Sequence, residues 1–237
     1  MKQNLLFGIV LLAAGSLMAA ESVKDEVAAA AKKLAEKENY SWTSQLDLGP
    51  DSPFTPGPTQ GKTQKDGLIW ISSSFGDNTT EGLMKGSKIA VKTDGGWQSA
   101  DPSDAGQGGF DPAAFMARRM QSTKAPAAEV EDLLARASEV KKEGDAYVAT
   151  LNEEGARALA SFGRGRRGGQ PNMSGTKATV KFWIKDGVLS KYETRVTGKL
   201  TTPDGEEREF NRTTTVEIKD VGTTKLDVPE EARSKVS

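Results

Sequence analysis

The chain contains neither cysteine nor histidine, so any chemistry it performs must rest on carboxylates, lysines and hydroxyls. Thiol nucleophiles, disulfides and thiolate metal sites are excluded, and no cysteine-borne lipid anchor is expected. Ser-His and Cys-His pairs, imidazole zinc ligands and histidine acid–base catalysis are excluded with them. Among the carboxylates, Asp101, Asp104 and Asp111 cluster in a glycine-rich stretch. Such stretches supply calcium ligands, yet this spacing fits no EF-hand loop, and Asp111 before Pro112 reads better as a helix cap. Glu206-Glu207 and Glu230-Glu231 are adjacent pairs. Neighbours on a strand point to opposite faces, so Glu206 and Glu207 make a poor acid–base couple, and both pairs read as surface charge. No catalytic residue and no metal site emerges.

Two motifs have plainer readings. Gly163-Arg164-Gly165-Arg166-Arg167-Gly168 spells a dinucleotide loop. That loop needs a strand before it and a helix after it, whose N-terminus meets the pyrophosphate. Here a helical pattern precedes and Gly169-Gln170-Pro171-Asn172 follows, so the match is accidental. Gly163–Asn172 is expected to be a solvated basic loop, able at most to touch anionic lipid or polysaccharide. Asn39, Asn78, Asn172 and Asn211 each begin an Asn-x-Ser/Thr triplet, which matters only in a cell that glycosylates exported chains.

The apolar side chains offer more. Trp42, Trp70, Trp97 and Phe182 lie in strand-like segments, and Phe115, Met116, Met120, Val130, Leu133 and Leu134 in helical ones. Their plain role is the core. Their functional role would be to line a cavity between sheet and helices, where methionine's flexibility suits an adaptable apolar surface.

The elements that position them follow from periodicity. Val23, Val27, Ala30 and Leu34 predict a helix over 22–38. Tyr40, Trp42, Leu46 and Leu48 alternate, which predicts a half-buried strand over 39–48, broken by Pro50, Pro53, Pro56 and Pro58. Strands are predicted at 68–74 and 88–93, with Asp66-Gly67 and Asp94-Gly95 as turns. Asp111-Pro112 opens a helix carrying Phe115, Met116 and Met120 on one face, and Pro126 opens another carrying Val130, Leu133, Leu134 and Ala137. After a strand over 147–151, Asn152 caps a third short helix with Glu153 and Glu154 in its first turn. A meander follows through Ala178, Val180, Phe182 and Ile184, then Tyr192 to Leu200, then Phe210 to Ile218. A last strand is predicted over 224–228, ending at Pro229. These elements predict an α+β fold, one antiparallel sheet covered by an N-terminal helix and short central helices.

The first twenty residues read as a secretory signal. Lys2 supplies the positive start, Leu5 to Ala14 a short apolar run, and Gly15, Ser16, Ala19 and Ala20 the small residues of a cleavage region. The run is about half of the roughly 20 residues a transmembrane helix needs. Residues 21–237 are then expected to form one domain, periplasmic or secreted, with no transmembrane segment. Lys and Arg number 32 against 33 Asp and Glu, a balance that argues against nucleic acid as a partner.

Phe182-Trp183-Ile184-Lys185-Asp186-Gly187-Val188-Leu189, with Lys191-Tyr192, resembles a hairpin of the LolA-like superfamily of bacterial envelope proteins, which includes the lipoprotein carriers and the LppX/LprG-type lipid binders. Val216-Glu217-Ile218-Lys219-Asp220-Val221-Gly222 and Val228-Pro229-Glu230-Glu231-Ala232 resemble its closing strand and final proline. The likeness is weaker over the first helix and Tyr40-Ser41-Trp42. It implies a curved, incomplete β-barrel with helices over its open side and an apolar cavity beneath. It implies a lipid, acylated protein or other hydrophobic guest, with no cofactor. No functional residue of the superfamily transfers to a numbered position here. Three readings therefore stand: a non-catalytic carrier of a hydrophobic molecule, an envelope interaction module with a filled cavity, and a carboxylate or lysine enzyme.

Overall fold

The computed structural model describes residues 11–50, 52, 55–75, 78–101, 112–161, 172–202 and 205–237. Helix α1 (Leu11–Ala35) leads into strand β1 (Asn39–Asp47), and five more strands follow: β2 (Thr59–Gln64), β3 (Leu68–Phe75), β4 (Asn78–Lys85), β5 (Lys88–Thr93) and β6 (Gly96–Ser99). Helices α2 (Pro112–Ser122) and α3 (Pro126–Ala135) come next, then β7 (Ala137–Glu143), β8 (Ala146–Leu151) and α4 (Glu153–Ser161). Strands β9 (Asn172–Lys185), β10 (Val188–Thr201) and β11 (Glu207–Lys219) complete the sheet, and α5 (Glu230–Val236) ends the chain.

All the strands join one 11-stranded sheet in the order β6-β5-β4-β3-β2-β1-β11-β10-β9-β8-β7. Every pairing is antiparallel, and β6 and β7 remain as edges. The sheet is curved and unclosed, an incomplete barrel. Asp186 (φ 53°) and Gly187 (φ 73°) give the β9–β10 hairpin two consecutive left-handed residues, the geometry of a type I′ turn.

The main core lies on the concave face. Tyr40 and Trp42 of β1, Ile71 of β3, Ile89 and Val91 of β5, Phe182 of β9 and Val216 of β11 point inward. They meet Val27, Ala31 and Leu34 of α1, Met116 and Met120 of α2, and Val130, Leu133 and Leu134 of α3. Ala156 and Ala160 bring α4 into the same cluster. A second cluster occupies the opposite face of β3–β6, where Leu68, Leu83, Ala90 and Trp97 pack against Leu226, Ala232 and Val236. The sheet is thus covered on both faces over this wing, whereas the alternation had suggested helices on one side only.

Three local differences have physical reasons. Residues 224–228 form no strand but cross the back of the sheet, with the Thr224 backbone N–H donating to Asn39 Oδ1 at 2.7 Å. Glu230 and Glu231 are exposed, as surface charge is expected to be, and they open a short helix that the periodicity did not predict. Ala137, expected on the second central helix, begins β7, because the Asn152 N–H captures the Arg136 carbonyl at 2.8 Å and starts a ladder there. The expected cap of α4 is present: the Gly155 N–H donates to Asn152 Oδ1 at 2.8 Å.

Candidate functional site: the concave face beneath α2 and α3

The strand register turns the concave face into transverse rows. One row is apolar and open: Gly82, Ile71, Gly61 and Trp42 lie side by side across β4, β3, β2 and β1. The glycines make room for what lies above them. A Cβ on Gly61 would sit 2.1 Å from the Trp42 ring, and one on Gly82 would sit 2.9 Å from Met120 Sδ and 3.2 Å from Met116 Cγ. The indole therefore lies flat on β2, and α2 rests its methionines on bare backbone. The next row reads Thr80, Ser73, Thr59 and Ser44 over the same strands, then Val216, Tyr192, Phe182 and Tyr147 over β11 to β8. One half of it carries small hydroxyl side chains, the other a valine and three rings.

Among the residues picked out from the sequence, Trp42, Met116, Met120, Val130, Leu133, Leu134 and Phe182 come together in this cluster. They are packed: Met120, Val130 and Phe182 expose 0%, Met116 2%, Leu133 and Leu134 3%. Trp97 and Trp70 belong to the opposite face. Because Ile69 and Ile71 point inward, their neighbours Leu68 and Trp70 must point out. Phe115 is 54% exposed. The buried stripe of α2 runs through Met116, Ala117 and Met120, and one step of about 100° carries Phe115 off it.

Polar groups fasten the covering helices. Tyr192 Oη donates to Glu129 Oε2 of α3 at 2.6 Å. Glu129 as a whole is partly exposed, but its carboxyl is covered. Burial raises that carboxyl above the usual carboxylate range, while the Tyr192 hydrogen bond pulls it down. Burial, and then the charge of Glu129, push the Tyr192 phenol well up. Tyr40 is pushed up to about 12 by burial, and the Ala127 backbone N–H, in the first turn of α3, offsets part of this by donating to its oxygen. Tyr147 Oη donates to Glu26 Oε2 of α1 at 2.6 Å. On α2, Arg119 Nη1 donates to Ser73 Oγ at 3.0 Å, and Nη2 donates to Thr59 Oγ1.

Glu129 and Tyr192 join α3 to β10 at the buried end of the glutamate side chain. No described cluster of acidic side chains could hold a metal ion. Asp101 is exposed, while Asp104, Asp111 and 163–171 lie outside the described residues. The surface depression beside Glu153, Glu154, Arg157 and Ser161 is open to solvent. No described helix is long and apolar enough to cross a membrane. Arg119 and the Glu129–Tyr192 pair had no distinct signal in the sequence. Arg119 follows another arginine, and only its position three residues after Met116 could have turned it toward the sheet.

No protein-family model and no curated protein matches the sequence. Solved structures similar to it include the Mycobacterium tuberculosis lipoprotein LppX, 10% identical over 87% of this chain and 98% of that one, with a TM-score of 0.46. LprF from Mycobacterium bovis is 10% identical over 89% and 97%, at 0.43. A LolA superfamily protein from Nitrosomonas europaea is 11% identical over 90% and 96%, at 0.32.

Proposed function

We propose that the protein binds a hydrophobic molecule on its concave face, outside the cytoplasm, and releases it without covalent chemistry. The observation that carries this reading is the contact between α2 and the sheet. Met116 and Met120, unbranched and adaptable, rest on the bare backbone of Gly82. Such a contact can be remade against a guest with little loss, whereas interlocked branched side chains could not. In the closed state the methionines occupy the guest's place; binding displaces them, and each Å² of apolar guest surface removed from water contributes about 25 cal/mol. The helices α2 and α3 act as the cover, and the secretory pattern of residues 1–20 supports export.

Of the four tryptophans, Trp42 alone lies in the concave cluster. Trp70 and Trp97 are across the sheet, and Trp183 lies under Lys191 at 4.8 Å. Fatty acids or phospholipids should therefore produce a saturable change in tryptophan emission that Trp42→Phe abolishes, and solvent extraction of purified protein should yield lipid. Folded protein with neither lipid nor response would overturn the proposal. The dense packing beneath the cover favours the second reading in that case, an envelope interaction module with a filled interior.

A further inference from the structure

We infer that Arg119, with Thr59 and Ser73, seats the anionic head of the bound molecule, so that the guest is an acidic amphiphile; this rests on the concave binding reading. A guanidinium keeps its charge at every physiological pH and needs a counter-charge wherever it leaves water. Arg119 is mostly buried between α2 and the β2–β3 wing, and burial lowers its pKa with no carboxylate raising it. Its partners are neutral hydroxyls, Ser73 Oγ at 3.0 Å and Thr59 Oγ1, which are themselves 3.4 Å apart. Every ion pair formed among the described residues involves other side chains. Arg157 and Arg208, both at the surface, have glutamates within 3.0 Å. The largely buried Arg119 thus has neutral hydroxyls for partners while these two surface arginines have carboxylates, the reverse of what solvation alone would favour.

The surroundings select the kind of anion. The hydroxyl row of Thr80, Ser73, Thr59 and Ser44 is one pleat, about 7 Å, from the apolar row of Gly82, Ile71, Gly61 and Trp42. A carboxylate or phosphate on Arg119 and these hydroxyls would place an attached alkyl chain over the apolar row, beneath Met116 and Met120. A small anion would use the first row and leave the second unused. A neutral lipid would leave the guanidinium unanswered.

The experiment compares palmitate with hexadecanol, equal in chain length and different in head charge, at pH 8 with the full chain, read by Trp42 emission. Wild type is expected to bind palmitate at least tenfold more tightly, the worth of one charge-assisted hydrogen bond. Arg119→Gln should lose that preference while binding hexadecanol within about twofold of wild type. Arg119→Lys, which keeps the charge without the fork, should recover part of it. Equal affinity of wild type for the two probes overturns the anionic seat and leaves the carrier reading intact, whether or not the variants fold. No binding of either probe overturns both. If acetate or inorganic phosphate alone raises the melting temperature through Arg119 and palmitate gives no response, the site takes a small anion and the amphiphile inference fails.

Discussion

Replacing Gly61 by alanine tests the flat seat of Trp42. The added Cβ would lie 2.1 Å from Cε2 and Cζ2 and 2.7 Å from Cδ2 of the indole. Carbon atoms in contact settle about 3.5–4.0 Å apart, so the ring must withdraw by about 1.5 Å or β1 and β2 must part. Trp42 is 6% exposed, and its ring centroid stands 6.0 Å from that of Tyr40, so there is little space to withdraw into. Gly61 does not have a positive φ, and alanine is acceptable to the backbone. Loss of unfolded-state freedom even favours alanine by about 0.5 kcal/mol. Overpacking of about 1–3 kcal/mol outweighs that, for a net loss of about 2 kcal/mol. With a urea slope of about 2 kcal/mol per M, the midpoint should fall by about 1 M. Trp42→Phe shortens the ring at the point of collision, so the double variant should be more stable than the two single losses predict, by about 1 kcal/mol. A Gly61→Ala loss below about 0.5 kcal/mol, or strict additivity with Trp42→Phe, would refute the close approach.

The covered Glu129 carboxyl makes stability depend on pH. Its folded pKa is raised, so the native protein holds this proton more tightly than the unfolded chain does, and stability falls as pH rises from the ordinary value of 4.5 through the folded one. Glu129→Gln keeps an acceptor for Tyr192 and removes the titration, so urea midpoints of the variant should gain on wild type across that window; a difference constant with pH would contradict this. On the opposite face, Leu226 is 7% exposed among Leu68, Leu83 and Trp97. Leu226→Ala should cost about 2–3 kcal/mol and shift tryptophan emission to the red, and a cost below about 1 kcal/mol would show that the second cluster contributes little.

Strands with apolar alternation were legible in the sequence because one buried face imposes a period of two. β1, β3, β5 and β8 emerge with their boundaries nearly right, and β10 and β11 emerge with their starts three or four residues late. β2 was not legible: Thr-Gln-Gly-Lys-Thr-Gln has no apolar residue, since its inward positions are Thr59, Gly61 and Thr63. Gly61 must be small because Trp42 covers it, so the information for β2 resides on β1. β7 buries only Val140 along its length, as an edge strand rich in Lys and Glu can, and so it continued the helical pattern before it. α5 is too short to show a period, and its two buried residues, Ala232 and Val236, gain meaning only against β5 and β6. The site followed the same division. Helical spacing found Met116, Met120, Val130, Leu133 and Leu134, but the partners of Arg119 and Glu129 lie on strands 46 to 63 residues away from them in sequence.

The pairing of β1 with β11 has a kinetic consequence. Every other ladder joins strands consecutive in sequence, so the wing of β1–β6 and the wing of β7–β11 can each zip from local turns. The seam between them sets Ser41 against Lys219, and the Ser41 hydroxyl donates to the Lys219 carbonyl across 178 residues of chain. Closing a loop of that length instead of one of ten residues adds about 2.5 kcal/mol of entropy before the first seam contact forms. Seam closure is therefore expected to limit the folding rate. In a chain synthesised from its N-terminus, the β1 edge has no partner until residue 219 has been made. Until then the concave core cannot assemble, because Trp42 stands on one side of the seam and Val216, Tyr192 and Phe182 on the other.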